Sequence, residues 1–383
     1  MRVIPYGKQF IDRPDITAAV KVLKSSWLTQ GPKIGEFERR LSECCRVKYA
    51  VAVSSGTAAL HLAALAAGLK KGDEAITSPI TFLATPNAVL YSGAKPVFAD
   101  IDEKTVNINP EEIKRHINKK TKAVLPVHFA GLPCEMESIY AIAKKNNLII
   151  IEDACHALGA KYKAGTTYTN VGSCRHSDMT VFSFHPVKHI TTGEGGAITT
   201  NNKNYYKKLL ALRNHGMYKD KNTAKRGPWY YEMRDLGFNY RITDFQCALG
   251  LSQLKKINSF IRRRRQIAAV YNQAFGNIES IEVPYSPKNS DHAYHLYVLK
   301  IDFKQFNTTR SKFSTQLKKR GILTQVHYIP IYHQPFYCKS KTCGKLKFKI
   351  SEAYYKKAIS IPIYPAMTDG DVRRVISSVR ELL

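Results

Sequence analysis

Leu148-Ile149-Ile150-Ile151-Glu152 is apolar at four successive positions, the pattern of a strand buried on both faces. Runs of the same kind are predicted at Tyr49 to Val53, Glu74 to Ser78, Pro96 to Ala99, Ala123 to Val127, Met179 to Ser183 and Gly196 to Thr200. Helical stretches such as Ala58 to Leu69 and Met136 to Lys145 lie between them. This alternation predicts one large α/β domain, residues 1–250, around a seven-stranded, mostly parallel sheet.

Past that domain the pattern changes. A long helical stretch from Asp244 to Phe275 leads to a strand at His295 to Ile301 and a helix at Thr308 to Arg320. A strand at Gly321 to His327 and a last helix at Asp369 to Leu382 complete a smaller C-terminal α+β domain, residues 251–383. Loops at 218–237 and 284–292 are candidate lids or interface segments.

The 383 residues carry 59 Lys and Arg against 30 Asp and Glu, a net charge of +29. The basic residues are spread along the chain, with no basic tail or zinc-finger spacing, so a Lys-rich surface and no nucleic-acid partner are expected. No run approaches the ~20 apolar residues of a membrane span. The opening Met1-Arg2-Val3-Ile4-Pro5-Tyr6-Gly7-Lys8 has no apolar signal core, and a cytoplasmic protein without a membrane partner is expected. The eight cysteines are too sparse for a disulfide framework. Cys338, Cys343 and His333 lack a second ligand pair, so free thiols and no metal site are expected.

The chemistry gathers at strand ends. Ser54-Ser55-Gly56-Thr57-Ala58 opens a helix after the first strand, where free N–H groups and the dipole favour an anion, although simple helix capping explains it too. Asp153 ends another strand, where ligands of open α/β sheets collect. Phe182-Ser183-Phe184-His185-Pro186-Val187-Lys188 then sets a lysine between a strand and the Gly-rich turn at 193–196. An amine, a strand-end acid and an anion cradle in one sheet fit pyridoxal 5′-phosphate, which needs a partner for its aldehyde, its ring nitrogen and its phosphate. Phe82 is a candidate to cover the ring face.

On the segments Ser54–Ala58, Glu152–Gly159, Ser183–Gly196 and Gly237–Asp244, the chain resembles the DegT/StrS family of nucleotide-sugar aminotransferases. The likeness runs in order from Leu28-Thr29-Gln30-Gly31-Pro32 to Gln325-Val326-His327-Tyr328 and implies the fold-type-I aminotransferase architecture. By that resemblance, Lys188 corresponds to the lysine that holds the cofactor covalently, Asp153 to the partner of its ring nitrogen, and His156 to a residue near its 3-hydroxyl. Ser55, Gly56, Thr57 and Ser183 match phosphate contacts, and Phe82 the residue stacked on the ring. Asn239 matches an asparagine that reaches the phosphate of the neighbouring subunit, which implies a homodimer with shared active sites. Tyr6, the segment Ser26, Trp27, Leu28 and Thr29, and Gln325, Val326, His327 and Tyr328 match the lining of a sugar-nucleotide pocket.

Within the family, Tyr6, Gly250–Lys256 and Arg320–Tyr332 look most like the branch that serves pseudaminic acid synthesis. That branch implies a UDP-linked 4-keto-6-deoxy-N-acetyl sugar as substrate and L-glutamate as amino donor. Other readings are a perosamine- or viosamine-type or 3-keto sugar, and, from another class, a regulator that binds the cofactor without catalysis. Arg241 suits a donor carboxylate or an interface ion pair equally. His61 is expected to be packed or at the surface rather than catalytic. His185 and His189 flank the lysine and are candidates to touch ligand, while Trp27 and Trp229 read as core or pocket wall.

Overall fold

The computed structural model describes residues 2–339 and 348–383. Seven strands form the large sheet, in the spatial order Tyr49–Val53, Gly196–Thr200, Met179–Ser183, Ile149–Asp153, Thr121–Leu125, Glu74–Thr77 and Lys95–Phe98. Every pairing among the last five is parallel; only Gly196–Thr200 runs against its neighbours, on both sides. It returns directly from Ser183 through a turn, without a crossover helix, so it must run backwards.

The strands are apolar on both faces because both are covered. Ala50, Ala52, Ile150 and Phe182 join a core with the Pro32–Cys45 and Met136–Lys145 helices. Val51, Val53, Ile151 and Val181 face the other way, into a core with the Gly56–Ala66 helix. That alternation is the strand period of two with both sides dry.

A second, antiparallel sheet takes Ile281–Glu282, Tyr297–Ile301 and Ala358–Ile361, in that order. Its core includes Tyr271 and Phe275 from the Ile257–Phe275 helix and Val372, Val375 and Val379 from the Asp369–Arg380 helix. Ile4 belongs to the same cluster, so the start of the chain packs against its end.

Three expectations from the sequence need correction. Gly321 to His327 is not a strand: Ile322 and Gln325 make only isolated bridges, to Ile4 and Ser360. The ladder position is filled by Ala358–Ile361, which frees residues 325–328 to curve toward the large sheet. The helical stretch from Asp244 is two helices, Asp244–Leu254 and Ile257–Phe275, broken where the Lys256 amine turns to Asp12 and Asp15. Trp27 and Trp229 are exposed, so neither belongs to the core.

The 218–237 region holds a two-residue hairpin, Met217–Tyr218 with Glu232–Met233, and Ser290–Asp291 adds to the Lys161–Ala164 strand. The seven described cysteines are free. Cys338 Sγ donates to the Tyr332 carbonyl and His333 pairs with Glu352, while Cys343 lies outside the described residues. Among the described residues no helix is long and apolar enough to cross a membrane.

Candidate active site

The parallel strands all deliver their following residues to one edge of the large sheet. Residues 54–57 follow Tyr49–Val53, residues 78–85 follow Glu74–Thr77, Asp153 ends its strand, and Ser183 ends Met179–Ser183. A cavity of about 680 Å³ opens there. It is walled by Ser55, Gly56, Thr57, Phe82, Asp153, His156, Ser183 and Lys188, and from the C-terminal part by Gln325, Val326, His327 and Tyr328, with Tyr6 beside them.

Ser55 caps the Gly56–Ala66 helix, accepting from the Ala58 N–H at 3.1 Å. The first N–H groups of the helix have no partner within it and lie at its positive end. Gly56 is packed tightly here: a Cβ on it would stand 2.8 Å from Ser183 Cβ. Gly196 is tighter still, since a Cβ there would overlap the Ser55 carbonyl. The glycines therefore bring helix start and strand ends into contact.

Asp153 is buried, and its two oxygens accept separate bonds, from Thr85 Oγ1 at 2.6 Å and from the Cys155 N–H at 3.1 Å. Behind it, Glu152 points to the opposite face. Burial alone would raise the Glu152 pKa, but bonds from His128, Ser177 and Thr180 outweigh it and hold the carboxyl below its ordinary value. His128 Nδ1 accepts from the Cys134 N–H, so its proton sits on Nε2, facing Glu152.

Burial lowers the Lys188 pKa below the usual lysine range, with Cys155 and Asp153 opposing the shift. His156 Nε2 meets the Tyr328 hydroxyl at 3.1 Å, and its ring lies 4.3 Å from that of His295. Burial, then the charge of Lys188, pushes the His156 pKa well down, so the ring is neutral. His156 Nδ1 is buried without a hydrogen-bond partner. Phe82 is exposed at the mouth, its ring 6.2 Å from that of Tyr328.

Ser26, Trp27, Leu28 and Thr29 are exposed and do not line this cavity. Thr29 bridges Thr243, Asn239 bridges Asn214 and is exposed, and Arg241 donates to the Asn214 side chain rather than to a carboxylate. His185 lines the cavity; His189 is buried beside the Ala293 carbonyl, and His61 packs among Tyr91, Phe238 and Tyr240. The sequence reading missed His295 and Glu194 as wall residues. A histidine opening an otherwise apolar strand segment was the available signal for His295.

The donor set suits pyridoxal 5′-phosphate. A desolvated amine, a buried ionisable acid, a helix start with unpaired N–H groups and an orphaned imidazole nitrogen share one cavity. The chain matches the DegT/DnrJ/EryC1/StrS aminotransferase family over residues 9–380. It belongs to that family. Spore coat polysaccharide biosynthesis protein SpsC of Bacillus subtilis is 42% identical over 383 residues, spanning 99% of this chain and 97% of its own. Helicobacter pylori PseC, an aminotransferase involved in pseudaminic acid biosynthesis, has a TM-score of 0.91 at 34% identity, covering 100% of this chain and 99% of its own. Spr1654 of Streptococcus pneumoniae in its pyridoxal phosphate form has a TM-score of 0.90 at 28% identity, with 100% of both chains covered. As a DegT/DnrJ/EryC1/StrS member with the fold-type-I architecture, the protein is a pyridoxal-phosphate-dependent sugar aminotransferase.

Proposed function

We propose that the protein moves an amino group from L-glutamate to C4 of a UDP-linked 4-keto-6-deoxy-N-acetyl sugar, in pseudaminic acid biosynthesis, as a cytoplasmic homodimer with shared active sites. The product is then UDP-4-amino-4,6-dideoxy-N-acetyl-β-L-altrosamine. The observation that carries the chemistry is the meeting of Lys188, Asp153 and the Ser55-capped helix start in one cavity. The likeness to PseC supports the choice of sugar.

When bound, pyridoxal phosphate supplies an aldehyde to carry the amino group and a ring that accepts the electron pair left on the donor's α-carbon. Ser55, Gly56, Thr57 and Ser183 hold the phosphate through N–H groups, hydroxyls and the helix dipole. Asp153 holds a proton on the ring nitrogen, His156 stands at the 3-hydroxyl, and Phe82 covers the ring face. Lys188, with its pKa lowered by burial, takes the proton from the donor's α-carbon and delivers it to the cofactor carbon that carried the aldehyde. Tyr6 and Gln325 to Tyr328 line the sugar end. Ser26 to Thr29 and Asn239, which are exposed, and Arg241, which is half-buried, lie off this cavity and serve the site of a second subunit.

The 42% identity to SpsC, a spore coat polysaccharide biosynthesis protein, supports keeping a second reading: another nucleotide-linked keto sugar, of perosamine or viosamine type or with a 3-keto group. Product analysis separates the two. Offered L-glutamate and a panel of nucleotide-linked keto sugars, the enzyme should aminate the UDP-linked N-acetyl 4-keto sugar at C4. Turnover confined to a 3-keto sugar or to another nucleotide would refute the first reading.

A further inference from the structure

Asp153 does not reach the cavity alone. Its Oδ2 accepts a 2.6 Å hydrogen bond from Thr85, and the Thr85 hydroxyl lies 2.8 Å from that of Thr81. All three side chains are buried, Thr85 completely. A hydroxyl has one proton to donate. Thr85 gives its proton to the carboxylate, so the proton between the two threonines belongs to Thr81. The relay therefore runs from Thr81, at the cavity wall, through Thr85 to Asp153.

The direction matters because an ionised carboxylate is costly away from water unless donors reach it. Asp153 has one donor on each oxygen, Thr85 on Oδ2 and the Cys155 N–H on Oδ1, and together they fix the plane of the group. A donor that itself accepts a hydrogen bond is polarised and donates more strongly. We propose that Thr85 is a positioning residue for the transamination, holding the Asp153 carboxylate fixed and aimed at the cofactor ring, with Thr81 reinforcing it. This rests on the proposed role of Asp153 toward the ring nitrogen.

The test uses apo-protein titrated with pyridoxal phosphate, followed by steady-state kinetics of the reconstituted enzyme. Thr85→Val removes the donor and keeps the shape; it should weaken cofactor binding and lower kcat, each roughly tenfold, as expected for a lost bond to a charged group. KM for the sugar should stay unchanged. Thr85→Ser restores the hydroxyl and should return both values to within about threefold, and Thr81→Val should fall between the two. Because Thr85 acts through Asp153, adding Thr85→Val to Asp153→Asn should cost nothing more. Wild-type binding and turnover in Thr85→Val, a Thr85→Ser variant no better than valine, or full additivity with Asp153→Asn would overturn the role of Thr85. Unchanged binding and turnover in Asp153→Asn would instead overturn the role of Asp153 itself.

Discussion

One wall of the cavity grows from the strand ends of the large sheet, while the other is carried in by residues 325–328, which belong to no ladder. Ser55, Asp153 and Ser183 are placed by strand register, by a capped helix and by glycines with no room for a Cβ. Gln325 touches its neighbour through a single bridge. His327 hangs on the Ser360 hydroxyl at 2.8 Å, its carbonyl accepts from Tyr354 at 2.5 Å, and Tyr328 leans on His156. The first wall is set by the backbone of the sheet and suits a cofactor held in one pose. The second is set by side-chain contacts and can be altered without disturbing the sheet, which suits it to substrate choice.

The contrast predicts a graded set of outcomes. Lys188→Ala, on the sheet wall, should cost at least roughly 10³-fold in turnover, because it removes both the covalent anchor and the proton carrier. A variant with wild-type kinetics would remove the basis for placing the chemistry on that wall. Gly196→Ala should destabilise the fold by about 3 kcal/mol in denaturant unfolding, since its Cβ overlaps the Ser55 carbonyl. It should weaken cofactor binding at the same time; wild-type stability would show that the cradle is not close-packed.

Acid should act through the buried imidazoles, of which His292 and His327 lie in the C-terminal part. Burial, helped by Arg265 and Lys188 respectively, lowers the pKa of His292 and His327 to about 3. An unfolded histidine takes up its proton near pH 6.5. Below that pH the unfolded chain binds protons the native chain refuses, so stability falls as pH drops from about 6.5 toward 3. The slope is about 1.4 kcal/mol per histidine per pH unit. Urea midpoints at pH 7, 6 and 5 measure it, and a flat profile would contradict the burial of neutral imidazoles. The smallest effect is expected from Tyr328→Phe. It should cost about 1 kcal/mol by leaving His156 Nε2 without its partner. It should alter KM for the sugar more than cofactor affinity; the reverse order would assign Tyr328 to the cofactor.

The same contrast explains what could be read from the sequence. The seven strands of the large sheet announce themselves as short apolar runs, because each is buried on both faces. Residues at their ends inherit a place from topology alone, so Ser55, Asp153 and Lys188 could be brought together without coordinates. Thr85 could not: one threonine in an apolar helix gives no sign that a carboxylate 68 residues away accepts its hydroxyl. Residues 321–327 carry strand-like composition, yet the ladder they would join is taken by Ala358–Ile361, a competition decided by tertiary packing. The exposure of Trp27 and Trp229 also runs against what large aromatics usually indicate.

The most direct measurement is the absorbance spectrum of the protein reconstituted with pyridoxal phosphate, before and after L-glutamate is added without any sugar. A visible band that gives way to a near-ultraviolet band is the predicted result, marking a cofactor that has been bound by Lys188 and has accepted the amino group. A protein that shows no visible band after reconstitution, or one whose band glutamate leaves unchanged, would contradict the assignment of Lys188 and of the donor.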